Sequence, residues 1–207
     1  MDRSEKFWDK TAEKYSKSDI KDKEGYHKTL QETRKFLKRD AAVLEIGCGT
    51  GTTALLLSGS VNAMTATDIS SNMIAIAKKK AKDQRIGNVN FLQSTIFDEK
   101  LKEGSYDVIL AYNLMHLLED TQGAMKRINE LLKPGGLFIS KTPCLKEKSI
   151  LWPMLVPIVA MALRIGCVKS FTIDGFKEAI TSEGFAISDA SVQYPKPPRL
   201  FVVARKN

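Results

Sequence analysis

The sequence is poor in the residues that build disulfide frameworks and metal centres. Its 207 residues include three cysteines, Cys48, Cys144 and Cys167, and two histidines, His27 and His116. The cysteines stand far apart with no CxxC pair, so neither a disulfide framework nor a zinc site is expected. No apolar run opens the chain: MDRSEKFWDKTAEKYSKSDIKDKE carries charge throughout, and the expectation is a cytoplasmic protein rather than an exported one. Internal repeats and low-complexity tracts are also missing. Length leaves little room for a second recognition domain, so residues 1–207 are read as one domain.

The charge that is present is unevenly spread. The net value is +8, but residues 77–85 (AKKKAKDQR) and 141–170 each contribute +4, five basic residues against one acid in either case. A pI near 9.3 is therefore a weak argument for nucleic acid. The 77–85 stretch ends a predicted helix, where lysines suit the helix dipole, and is read as a solvated face.

Short apolar or β-branched runs alternate with helical patterns, which argues for βαβ units and a mostly parallel sheet. Strands are expected at residues 41–46, 63–67, 89–93, 106–112 and 137–141, with helices from near Thr52, over 70–84 and over 121–132. LKPGG should close the last of these, because proline cannot continue a helix and the paired glycines supply a turn. A further helix is expected from an N-cap at Thr172 to Gly184, then strands at 185–192 and 200–204, joined as an antiparallel hairpin. The first 40 residues read as one or two charged amphipathic helices capping the sheet.

The sharpest signal is VLEIGCGTGTT at 43–53, a buried strand running into glycines 47, 49 and 51. A dinucleotide fingerprint would need its third glycine at position 52, where Thr52 stands. Glu45 lies just before the loop, and a carboxylate there repels phosphate and attracts an ammonium or sulfonium group. Asp68 ends the second strand, where an acid in such folds accepts hydrogen bonds from ribose hydroxyls. A nucleoside with a cationic amino-acid tail fits both, and S-adenosylmethionine is that molecule.

With EIGCGTG at 45–51, TDIS at 67–70, the strands FLQS and YDVILAYN, and LLKPGGLF at 131–138, the chain resembles the class I S-adenosylmethionine-dependent methyltransferases from about residue 36 onward. FWDKTAEKY and the HLL after the fourth strand are similar to the quinone and lipid methyltransferase type. The resemblance implies an α/β, Rossmann-like seven-stranded sheet in the order 3-2-1-4-5-7-6, with strand 7 antiparallel and helices on both faces. It implies that Gly47, Gly49 and Gly51 admit the methionine part, that Glu45 lies near its amino group and that Asp68 binds the ribose. Ile69 and Met73 would pack on the adenine, and Asn113 would lie near the cofactor and the target atom. Cys48 is among these cofactor positions as a small buried residue rather than a nucleophile. The family often places an acid before an apolar residue after strand 3; here Thr95 and Ile96 stand there, and Thr95 can accept a hydrogen bond but carries no charge.

Methyl transfer is an in-line displacement that needs a base only if the acceptor atom must lose a proton. His116 is the candidate base or substrate ligand, with a packed structural histidine as the alternative. The DPPY or NPPY sequence of enzymes that methylate base amines is missing, and AYNLMH stands in its place. No nucleic-acid partner is expected.

Residues 150–163, ILWPMLVPIVAMAL, break the alternation. The charge-free run from Ser149 is 15 residues, short of the roughly 18 to 20 of a membrane span, and holds Pro153 and Pro157. Three readings stay open for residues 143–170: an apolar lid over the acceptor, a peripheral membrane contact through 146–169 with Trp152 and flanking cations, or a homodimer contact. The leading expectation is methyl transfer from S-adenosylmethionine to oxygen or carbon of a small, apolar acceptor, leaving S-adenosylhomocysteine. A protein or RNA methyltransferase, and a cofactor-binding scaffold without turnover, are the alternatives.

Overall fold

The computed structural model of the protein describes residues 3–147, 168–195 and 197–207. The whole apolar segment at 150–163, and with it the lid, membrane and dimer readings, lies outside the described residues. Seven strands form one sheet: β1 (Ala42–Ile46), β2 (Ala63–Asp68), β3 (Val89–Gln93), β4 (Tyr106–Tyr112), β5 (Leu132–Pro143), β6 (Phe185–Pro195) and β7 (Pro198–Lys206). Their order is β3-β2-β1-β4-β5-β7-β6. Pairings from β3 to β5 are parallel, and β7 runs antiparallel to both β5 and β6. This is the order and the reversed seventh strand that the resemblance implies.

Apolar residues on both faces of the central strands explain the layering, since a parallel sheet is covered on both sides. Val43, Leu110, Ile139 and Phe201 share one core with residues of α2 (Lys23–Arg34), α3 (Thr52–Leu57) and α4 (Ser71–Asp83). Leu44, Ile109, Phe138 and Val202 face the other way, against α5 (Thr121–Leu131) and α6 (Ile173–Thr181). Caps mark the helix starts. Ser70 accepts from the Met73 amide at α4, Asp120 from Gly123 at α5, and Thr172 from Gly175 at α6, so the expected Thr172 cap is present.

The charged N-terminal segment is two helices, α1 (Arg3–Ser16) and α2. The helix after the glycine loop is a single short piece that tightens into a 3-10 turn at Ser58–Ser60. LKPGG does not separate α5 from β5. The strand already begins at Leu132, paired with Tyr106, and a register shift with Gly135 at φ +72° absorbs the turn inside the ladder. No described helix is long and apolar enough to cross a membrane.

Candidate cofactor site

At the carboxyl edge of β1 the chain turns sharply through three residues with positive φ, Gly47 (+65°), Gly49 (+54°) and Gly51 (+74°). A Cβ on Gly51 would stand 2.7 Å from the Phe91 ring and 2.8 Å from Ala77 Cβ, and one on Gly47 would stand 2.7 Å from Leu114. Gly49 differs: its nearest neighbour would be Tyr15 at 3.7 Å, ordinary contact distance. Two of the glycines thus let the loop pack against the core, and the third keeps a surface open. Cys48 donates its amide to Thr67 O at 2.9 Å, and its thiol is buried and raised above the ordinary range, chiefly by burial, so it stays neutral.

Two acids stand against this loop. Asp68 Oδ2 accepts the Gly49 amide at 2.9 Å and Oδ1 accepts the Ser70 amide at 2.9 Å, which locks the end of β2 to the loop. Burial raises its pKa against the pull of these amides. Each oxygen keeps a lone pair for a further donor. Glu45 is buried, with 2% exposure, and its Oε2 has no hydrogen-bond partner. Burial first, and Asp68 second, push its carboxyl up to about 8, while the Ala54 amide pulls the other way. A buried carboxyl with an unsatisfied oxygen costs stability unless a ligand donor completes it.

The remaining candidates are spread around this centre. Ile69 is half-buried, its carbonyl taken by the Gln93 side chain at 3.1 Å, and Met73 is buried in the first turn of α4. Ile96 lies in the core with Leu44 and Leu101, while the exposed Thr95 turns its hydroxyl to the Phe97 amide at 3.2 Å. Asn113 takes a φ of +53°, which asparagine tolerates, and donates its amide to Lys141 O at 2.8 Å. His116 Nδ1 is buried without a partner, and burial, then Arg199, push its pKa down to about 4. At neutral pH it is an uncharged imidazole and a feeble proton acceptor, suited to a hydrogen bond rather than to general-base work.

Several residues that bear on the site carry no motif. Asp9 on α1 accepts the Ser70 hydroxyl at 2.6 Å and the Asn72 amide at 3.1 Å, docking α1 on the start of α4. Tyr15, from the last turn of α1, flanks Gly49. Lys80 reaches back from α4 to the hydroxyls of Thr50 at 2.9 Å and Thr52 at 3.1 Å, tying down the loop from behind. Only a spaced lysine and two threonines announce that anchor in the sequence.

These features fit S-adenosylmethionine. Its ammonium would complete Glu45, its ribose hydroxyls would find the free lone pairs of Asp68, and the open side of Gly49 leaves room for its backbone-hugging tail.

Residues 37–170 match a family described as a methyltransferase domain. Malonyl-[acyl-carrier protein] O-methyltransferase of Priestia megaterium is 31% identical over 135 residues, 64% of this chain and 47% of that protein. Demethylmenaquinone methyltransferase of Lactococcus lactis is 36% identical over 99 residues, 46% of this chain and 39% of that one. Geranyl diphosphate C-methyltransferase of Streptomyces coelicolor, solved with Mg2+, geranyl diphosphate and S-adenosyl-L-homocysteine, superposes with a TM-score of 0.73. It shares 12% identity over 88% of this chain and 78% of its own, a likeness of fold. The chain spans less than half of those two curated relatives and 3% to 5% of the multidomain synthases it also matches. The family match, on this sheet order and this glycine loop, identifies the chain as a member of the class I S-adenosylmethionine-dependent methyltransferases.

Proposed function

We propose that the protein transfers the methyl group of S-adenosylmethionine to a small acceptor with an apolar body, at oxygen or carbon. The observation that carries the cofactor half of this reading is Glu45, buried beside the glycine loop with an oxygen that lacks a partner. When bound, the cofactor supplies an electrophilic methyl on a cationic sulfur. The protein's part is to hold and align. Glu45 holds the ammonium end, Asp68 the ribose, and Gly47, Gly49 and Gly51 the space between them. Ile69 and Met73 flank the adenine, with Thr95 and Ile96 beyond it and Asn113 on the acceptor side. His116, neutral at pH 7, contributes a hydrogen bond to the acceptor. Two relatives and one enzyme of like fold are named for acceptors of three chemistries: malonyl-[acyl-carrier protein], demethylmenaquinone and geranyl diphosphate. All are small or presented as small groups, which supports a small acceptor and leaves oxygen and carbon both open here.

The test is binding of S-adenosylhomocysteine followed by calorimetry and thermal melting. The expected result is a Tm that rises with the logarithm of ligand concentration once the ligand exceeds its Kd. No binding by the wild-type protein would overturn the proposal.

A further inference from the structure

The face of the sheet beneath α2 is apolar over most of its length and turns polar at the carboxyl edge, the edge that carries the glycine loop. On β5, Lys141 follows the buried Ile139; on β7, Arg199 lies two residues before the buried Phe201. Lys141 is paired with Phe201 and Gln193 of β6 with Arg199. Directly opposed residues of antiparallel strands share a face, so three adjacent strands bring Lys141, Arg199 and Gln193 side by side under α2.

Lys141 is 5% exposed, yet its ammonium donates to neutral oxygens, Thr29 Oγ1 at 2.8 Å and Gly25 O at 3.1 Å. Among the described residues no carboxylate lies within ion-pair distance of it. Burial first, and the Arg199 guanidinium second, press its pKa down to about 8 against the opposing pull of Asp22. Gln193 accepts from Thr29 through Oε1 at 2.9 Å, and its buried Nε2 has no partner. Arg199 also acts on His116 and on Tyr15, the residue beside Gly49. Lys141 pairs with Tyr112 and accepts the Asn113 amide through its carbonyl, so the group lies beside the end of β4.

Pinning α2 to the sheet does not call for a cation. Thr29 and Gln193 already join the two, and a neutral amide at 141 would donate to Thr29 without the cost of burying charge near a second cation. The acid whose charge reaches Lys141 is Asp22, and it makes no ion pair with the lysine: as the N-cap of α2 it accepts the Gly25 amide at 2.9 Å. We propose that this edge is an anion subsite of the acceptor pocket: the methyl acceptor carries a carboxylate or phosphate group that Lys141 binds, with Arg199 and the Gln193 amide beside it. The inference rests on the methyltransferase reading and narrows it, from an apolar acceptor to an amphiphile with an anionic head.

The experiment uses protein saturated with S-adenosylhomocysteine and compares octanoate and octyl phosphate with octan-1-ol, and benzoate with benzamide, at equal ionic strength. The expected result is that the anions bind and raise Tm, about tenfold or more tighter than their neutral counterparts. Lys141→Met should erase the preference, Lys141→Arg should retain it, and neither should change affinity for S-adenosylhomocysteine. Whichever of octanoate and octyl phosphate binds tighter names the head group. Indistinguishable anionic and neutral probes in the wild-type protein overturn the inference, even if Lys141→Met fails to fold. So does a loss of S-adenosylhomocysteine affinity in Lys141→Met, which would assign the lysine to the cofactor's own carboxylate. A wild-type protein that does not bind S-adenosylhomocysteine removes the underlying reading instead, a different failure with a different signature.

Discussion

The amide of Gly49 donates to Oδ2 of Asp68 at 2.9 Å, and the other oxygen of that carboxylate accepts the Ser70 amide at 2.9 Å. One side chain thus sets the distance between the glycine loop and the start of α4, the two elements between which we propose that the cofactor binds. Asp68→Asn keeps the shape but turns an NH2 group toward one of two N–H donors. We expect a loss of about 1–3 kcal/mol of stability and weaker S-adenosylhomocysteine binding by tenfold or more. Chemical denaturation and calorimetry of the same variant measure both.

The three loop glycines should not respond alike to alanine. At Gly51 a methyl group meets the Phe91 ring at 2.7 Å and Ala77 at 2.8 Å, so Gly51→Ala adds overpacking to left-handed strain and should cost about 2–4 kcal/mol. At Gly49 the nearest atom is 3.7 Å away. Gly49→Ala should cost only about 1–2 kcal/mol of backbone strain, yet abolish cofactor binding because its methyl group fills the open side of the loop. Comparing denaturant midpoints with binding isotherms separates the two effects.

Glu45 predicts a proton signature. Its carboxyl is raised to about 8 in the ligand-free fold from an ordinary 4.5, so the folded state holds a proton that the unfolded chain releases. The stability this contributes is fully present below about pH 4.5 and is lost as pH rises through about 8. A bound ammonium group favours the ionised form, so binding S-adenosylhomocysteine near pH 7 should expel a proton. Titrations in buffers of different ionisation enthalpy should show that release, and Glu45→Gln should lack it.

Asp9 tests the role of α1. Its carboxylate accepts from Ser70, Asn72 and, at 3.4 Å, the Ser71 hydroxyl, and its helix carries Tyr15 to Gly49. In Asp9→Ala the amides of α1 should exchange with solvent about tenfold faster or more, equivalent to the loss of one charged hydrogen bond. Hydrogen exchange followed by mass spectrometry would register this, while β1 and β4 stay protected.

Much of the site was legible because its parts are local. The strand, with Glu45 in it, and the three glycines occupy ten consecutive residues, 42–51, and Asp68 ends the next strand, so pattern and spacing alone place them together. The order of the sheet came with the resemblance, and the short PKPPR link already suggested that β6 and β7 form a hairpin. What stayed hidden depends on side chains meeting from distant parts of the chain. Thr29 and Gln193 are 164 residues apart, Asp9 and Ser70 are 61 apart, and Lys80 looks like one more solvated lysine until its bond to Thr50 is seen. The early start of β5 escaped for a related reason: Pro134 and two glycines signal a turn, but the pairing of Leu132 with Tyr106 is decided by the neighbouring strand.

Transfer of a labelled methyl group is the most direct measurement. The wild-type protein is incubated with methyl-labelled S-adenosylmethionine and, separately, with small-molecule extract, total RNA and total protein from cells. Label is expected in the small-molecule fraction, in compounds that bear a carboxylate or phosphate, and is expected to fall about tenfold or more with Asp68→Asn at subsaturating cofactor. Label confined to RNA or protein, or none in any fraction despite tight binding of S-adenosylhomocysteine, would contradict it.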